Sequence, residues 1–220
     1  MRLTRPRAVL FDWDNTLVES WDIIHESLRR TFLDLEREPW SFDQTKAWVR
    51  RSMRDSFPDL FGADAVRAEH AFYRHYRAHH LRRLTPLSGA AETLDALHRN
   101  GLPLGVVSSK QGNLVREEAE HLGWSGYFGR IVGADDGPVD KPAPEAVTLA
   151  LDGTEITPGP DVWYVGDTGI DVTCARNSGC AAVIVSSDPP RDGDCPRVPD
   201  HQVADHAGLH GFLREHGITI

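Results

Sequence analysis

Lysine is almost missing from this chain: apart from Lys46, Lys110 and Lys141, its positive charge is carried by arginine. Cysteine is as sparse. Cys174, Cys180 and Cys195 are odd in number and lack metal-ligand spacing. That excludes a disulfide framework and a thiolate zinc site, and predicts free thiols in a reducing, cytoplasmic setting. No apolar run approaches the roughly 20 residues that span a bilayer. The start, MRLTRPRAVLF, has only a short apolar stretch, so neither a membrane partner nor a secretory signal is expected. Positive charge is in deficit overall, with a formal net charge of −9, which argues against nucleic acid as a partner. The exception is the stretch from Lys46 to Arg83, where basic residues outnumber acidic ones. Such a stretch is either a solvated helical surface or a contact for an anionic substrate.

What is present is ordinary for a globular protein: 220 residues, 40% hydrophobic and 26% charged, enough for one substantial core with a smaller insert. Five short apolar runs, Ala8–Phe11, Leu104–Val107, Arg130–Val132, Val162–Val165 and Ala182–Val185, are continuous rather than alternating and read as buried parallel strands. Helical patterns separate the last four. Gly112–Leu122, Pro144–Leu151 and Ile170–Ser178 close on Gly123, Gly153 and Gly179, where helix C-caps are expected. Strands alternating with helices in this way predict an α/β, doubly wound, Rossmann-like parallel sheet.

The gap after the first strand differs, because residues 20–84 hold no strand-like run. Ile24, Leu28, Phe32 and Leu35 form one apolar helical stripe, and Ala65, Phe72, Tyr76 and His79 fall close to another. Pro39, and Pro58 with Gly62, are expected to break this region. The reading is an all-helical insert over 18–85 in a core formed by 1–17 and 86–220. A helix over Gly89–His98 leads from the insert into the second strand.

Open parallel sheets bind ligands at the carboxyl ends of their strands, and four of these ends carry reactive groups. They are Asp12-Trp13-Asp14-Asn15-Thr16, Ser108-Ser109-Lys110, the Asp140-Lys141-Pro142 segment, and Gly166-Asp167-Thr168-Gly169-Ile170-Asp171. A single acid there is often a helix cap; four such clusters in succession are not explained by capping. The order DxDxT, strand-end Ser, Lys-Pro, GDxxxD resembles the haloacid dehalogenase-like hydrolases across essentially the whole chain. FDWDNTLVES and KPAPE are most similar to the phosphoglycolate-phosphatase branch. The resemblance implies five strands in the order 5-4-1-2-3, counted along the chain, and a helical cap after the first. It implies a Mg²⁺-dependent phosphatase that forms an aspartyl-phosphate on Asp12 and acts on a small phosphorylated substrate, with phosphoglycolate the first guess. Asn15 stands where the common pattern has glycine, but asparagine tolerates the left-handed backbone.

The chemistry asks for these residue types. A carboxylate attacking a phosphate dianion meets a repulsion of roughly 4 kcal/mol at about 4 Å and an effective dielectric near 20. A hard cation such as Mg²⁺, which prefers oxygen ligands, is the natural remedy. Asp12 and Asp167 would supply side-chain ligands; the resemblance adds the Asp14 backbone carbonyl and gives Asp171 a supporting role. Lys141 brings a second positive charge and Ser108 a hydroxyl donor to the phosphoryl oxygens. Asp14 is placed to protonate the leaving alkoxide and later to deprotonate water. Thr16, Ser109 and the amides of Trp13 and Asp14 complete the expected phosphate cradle. In the insert, Arg50, Arg51 and Arg54 are the densest basic patch and would suit a carboxylate on the leaving group.

Two other activities share these features. A sugar-phosphate mutase, by the resemblance, has a cap histidine ten residues after the second acid; Ile24 stands there, with His25 next to it. A phosphoaspartyl receiver domain has a similar set of groups, but its acid pair precedes the phosphoacceptor and no helical insert follows its first strand. A monomer or homodimer is expected.

Overall fold

The structure is a computed structural model that describes residues 3–49, 52–187 and 198–220. The first apolar run forms strand β1 (Ala8–Phe11), buried along its whole length. Val9 and Phe11 face one core cluster and Ala8 and Leu10 the other, as a strand covered on both faces requires. A two-residue strand β2 (Val18–Glu19) then leads into four helices, α1 (Trp21–Asp34), α2 (Phe42–Trp48), α3 (Met53–Phe61) and α4 (Ala65–Arg83). Strand β3 (Thr85–Pro86) returns antiparallel to β2, pairing Val18 with Pro86 and Glu19 with Thr85. The chain continues through α5 (Ala90–Arg99), β4 (Leu104–Gln111), α6 (Gly112–His121), β5 (Phe128–Ala134), α7 (Pro144–Leu151), β6 (Val162–Gly166), α8 (Gly169–Asn177), β7 (Ala181–Val185), β8 (His201–Val203) and α9 (His206–Glu215).

The sheet order is β5-β4-β1-β6-β7-β8, with every pairing parallel. Five of these strands are the expected ones in the expected order. The sixth corrects the five-strand expectation. Strand β8 has only three residues, none fully buried, so no apolar run announces it; pairing with Val183–Val185 makes it a strand. Helices α5, α6 and α9 cover one face through residues such as Leu94, Val115 and Leu213, while α7 and α8 cover the other through Val147 and Val172. Each fully buried leucine or valine contributes on the order of 1.5–3 kcal/mol. Gly123, Gly153 and Gly179 all have positive φ, as helix-ending glycines do. Among the described residues, no helix is long and apolar enough to cross a membrane.

Helices α1, α3 and α4 share a third core. Ile24, Leu28, Phe32 and Leu35 are buried in it as their spacing predicts, and Leu114 of α6 joins them from the sheet side. The α4 stripe differs by one position. Ala68, Phe72, Tyr76 and His80 are buried, four residues apart, whereas His79 is half-buried. Pro58 does not break this region; it lies inside α3. In a helix beginning at Met53 it forfeits one intrahelical bond, that to the Arg54 carbonyl. Much of the basic stretch is paired: Arg54 with Asp140, Arg74 with Asp34 and Arg77 with Glu117.

Candidate active site

Asp12 directly follows β1, and its amide still donates to the Val165 carbonyl at 2.8 Å, which fixes it at the mouth of the central strands. Lys141 Nζ lies 2.8 Å from Asp12 Oδ1, 3.3 Å from the Val107 carbonyl and 2.6 Å from Asp171 Oδ1. The contact to Asp171 is an ion pair without hydrogen-bond geometry, so that buried oxygen has no donor among the described residues. The other oxygen, Oδ2, accepts from the Asp167 and Thr168 amides and from the Thr168 hydroxyl. These bonds cap α8. Gly166 makes room for them, since a Cβ there would meet Asp171 Cγ at 2.2 Å. Asn15 has φ of 58°, the left-handed conformation expected of it.

Asp12, Asp167 and Asp171 each offer an oxygen, and these atoms lie within 4.8 Å of one another. Burial, with help from Asp171 and Asp14, pushes the Asp12 carboxyl up to about 7 against the pull of Lys141. Burial and its acid neighbours push Asp167 well above the usual carboxylate range. Burial would lower Lys141, but Asp12 and Asp171 outweigh it and hold the ammonium well above its ordinary value. Three carboxylates around one ammonium leave negative charge uncompensated, and one oxygen is orphaned. An all-oxygen donor set in this condition fits a hard divalent cation.

Asp12, Asp14, Ser108, Ser109, Lys141 and Asp167 line one pocket. Asp14 Oδ1 accepts from Lys110 Nζ at 2.6 Å. Ser108 Oγ accepts from the Lys110 amide at 3.1 Å, and the buried Ser109 hydroxyl has no partner among the described residues. Thr16 and Trp13 are fully buried and do not line the pocket: the Thr16 hydroxyl is 3.5 Å from Asp167 Oδ1, and the Trp13 indole donates to Glu118 at 2.6 Å. The opposite wall is apolar, with Trp21, Ile24, Val49, Met53, Phe72 and Tyr73. Arg54 is not part of it; its guanidinium pairs with Asp140 at 2.6 Å and Asp135 at 3.4 Å. Arg50 and Arg51 lie outside the described residues. His25 is likewise away from the pocket, with its ring nitrogen 2.9 Å from the Thr45 hydroxyl.

The sequence profile of the haloacid dehalogenase-like hydrolases matches residues 9–185. The chain belongs to that family. A phosphoglycolate phosphatase of Pseudomonas fluorescens Pf-5 is 31% identical over 82% of this chain and 70% of its own. The phosphoglycolate phosphatase of Aquifex aeolicus is 32% identical over 79% of this chain and 81% of its own. The crystal structure of a predicted phosphoglycolate phosphatase from Haemophilus somnus shares the fold, with a TM-score of 0.82 over 96% of this chain and 99% of that one, at 21% identity. This haloacid dehalogenase-like hydrolase is thus an enzyme of the phosphatase type.

Sequence reasoning missed the surroundings of Asp14. Lys110 was read only as the last residue of the Ser108-Ser109-Lys110 strand end and given no role; it is buried between Asp14 and Glu118. Tyr76 was read only as part of an apolar helical stripe, and Glu118 and His80 were not read as part of the site. The available signals were the scarcity of lysine and the four-residue spacing of Tyr76 and His80 on α4.

Proposed function

We propose that this phosphatase hydrolyses a small phosphate monoester through a phosphoryl group carried on Asp12, with Mg²⁺ as its cation. The observation that supports this best is the meeting of Asp12, Asp167 and Asp171 at one point, with Lys141 between two of them. Asp12 attacks phosphorus as the ester P–O bond breaks, and Asp14 gives its proton to the departing alkoxide. Asp14 then takes a proton from water as that water attacks phosphorus. The bond to Asp12 breaks, and inorganic phosphate leaves. Lys141, Ser108 and Ser109 face the phosphoryl oxygens, with Thr16 and the amides of Trp13 and Asp14 behind them. Mg²⁺ held by Asp12, Asp167, Asp171 and the Asp14 carbonyl would supply the positive charge that lets two anions approach.

Residues 18–85 act as the cap that excludes water and selects the leaving group. Relatives named for phosphoglycolate make that ester the first to assay. The apolar wall makes aryl and alkyl phosphates the informative comparison. Ile24 in the wall, with His25 turned to Thr45, gives a mutase no acid–base histidine. Acid quenching during turnover of ³²P-labelled substrate should trap label on the wild-type chain and none on Asp12→Asn; label retained on that variant would move the nucleophile elsewhere.

A further inference from the structure

The Asp14 carboxylate is held from outside its own strand. Lys110 Nζ, 2.6 Å from Asp14 Oδ1, also lies 2.8 Å from Glu118 Oε2. Glu118, on α6, is fully buried and takes three further donors. The Trp13 indole reaches Oε2 at 2.6 Å, and the Tyr76 hydroxyl and a His80 ring nitrogen each reach Oε1 at 2.9 Å. Tyr76 also offers its ring face to the Lys110 ammonium at 5.0 Å. Burial alone would raise the Glu118 carboxyl, but Lys110 with the His80 and Trp13 donors brings it down to about 2. The network therefore begins on the insert helix α4, passes through the sheet-side helix α6, and ends on the group read as the acid–base catalyst.

A structural ion pair has no need of this arrangement. Lys110 and Glu118 alone would satisfy each other, yet the lysine spends its second contact on a carboxylate that lines the pocket. Glu118 draws half its donors from the other side of the insert boundary. Hydrogen bonds to charged groups in a dry interior are the strong and directional ones, so displacing one end displaces the other.

We propose that Lys110 and Glu118 are positioning residues for the Asp14 carboxylate, and that Tyr76 and His80 set them in turn, so that Asp14 is correctly placed only when α4 is seated on α6. This rests on reading Asp14 as the acid–base group.

The test compares an alkyl phosphate, such as phosphoglycolate, with p-nitrophenyl phosphate, whose leaving group departs without a proton. Tyr76→Phe combined with His80→Phe removes both α4 donors and keeps the ring volume. Lys110→Met combined with Glu118→Gln removes the two buried charges together, which protects the fold. Both variants should lower kcat on the alkyl ester by about ten- to a hundredfold, the scale of a lost charged hydrogen bond, and leave KM within about twofold. With p-nitrophenyl phosphate, the burst of nitrophenol should keep its wild-type rate, while steady turnover slows because water attack still needs Asp14. Equal losses in burst and steady state on both esters, or no loss at all, overturn the positioning role. Asp14→Asn, measured alongside, separates the two levels. If it keeps alkyl-ester turnover, the acid–base reading itself fails. If it loses turnover while Tyr76→Phe with His80→Phe does not, only the positioning fails.

Discussion

Two buried lysines stand near neighbouring strand ends, each between two carboxylates, and they are in opposite states. Around Lys141, one Asp171 oxygen has no donor among the described residues and the Asp12 carboxyl is pushed up to about 7, chiefly by burial. Around Lys110, both Glu118 oxygens are filled and the carboxyl lies at about 2. Each ammonium touches two carboxylates and the burial is similar, although Asp167 adds a third acid on the Lys141 side. Donors make much of the difference, since among the described residues the indole, phenol and imidazole that satisfy Glu118 have no counterpart beside Asp12, and the acids near Asp12 add to it. On the function proposed above, the satisfied assembly is frame and the unsatisfied one is where a cation and a phosphoryl group would be received.

The largest effect should come from Asp12→Asn. Turnover should fall by more than about a thousandfold, as it does when a covalent nucleophile is removed. Thermal stability of the metal-free chain should not fall, because a poorly satisfied carboxylate has gone. A tenth of the wild-type rate surviving would break the assignment of Asp12. Removing the cation comes next. Exhaustive chelation should abolish activity and Mg²⁺ should restore it, whereas Ca²⁺, with looser coordination, should inhibit. Full activity in EDTA would place the Lys141 assembly in the same satisfied class as the other.

The two assemblies should also give pH dependences of opposite sign. The folded pKa of Asp12, about 7, lies above its ordinary 3.8. In metal-free protein its contribution to stability is therefore present below that ordinary value and lost as pH rises through the folded one. The folded value of Glu118, about 2, lies below its ordinary 4.5. Its contribution is present above the ordinary value and lost as pH falls towards the folded one. Melting curves should show Asp12→Asn gaining on the wild type as pH rises from about 4 to about 8. The lead of wild type over Lys110→Met with Glu118→Gln should shrink as pH falls from about 4.5 to about 2. The same slope in both experiments would dissolve the contrast.

The smallest effect on turnover is expected at Arg54. Its side chain is 38% exposed but the Asp140 side chain it pairs with is 1% exposed, so Arg54→Ala should cost about 1–3 kcal/mol of stability, between an exposed and a buried pair. It should change phosphoglycolate and p-nitrophenyl phosphate turnover by less than about threefold, and equally. A selective loss on phosphoglycolate would bring the arginine back to the leaving group.

The strands and their reactive ends were legible because both are local signals. Val162–Val165 is a run of apolar residues, and Asp167 follows it within two positions. Strand β8 was not, because no run marks it and only its neighbour makes it a strand. The α4 stripe was read one residue short at His79, since nothing in the periodicity separates two adjacent histidines. The donors to Glu118 were invisible for another reason. Tyr76 and His80 lie 42 and 38 residues away along the chain, and only the packing of α4 on α6 brings them together. Arg54 was aimed at the substrate because its partner Asp135, 81 residues on, belongs to a loop that no spacing rule connects to the insert.

The short ribbon of β2 and β3 bears on how such a chain can diversify. Val18 faces Pro86 and Glu19 faces Thr85, so the chain leaves the sheet and comes back to it through adjacent residues. A two-residue turn could close the same gap. The excursion over 20–84 is therefore a parenthesis in the topology: it can lengthen, shorten or be exchanged without altering which strand lies beside which. Loop-closure entropy scarcely resists this, at about 0.6 kcal/mol for each doubling of length. If the insert selects the leaving group as proposed, the reacting floor and the selecting roof can be inherited at different rates, and one chemistry can be offered to a succession of different alcohols.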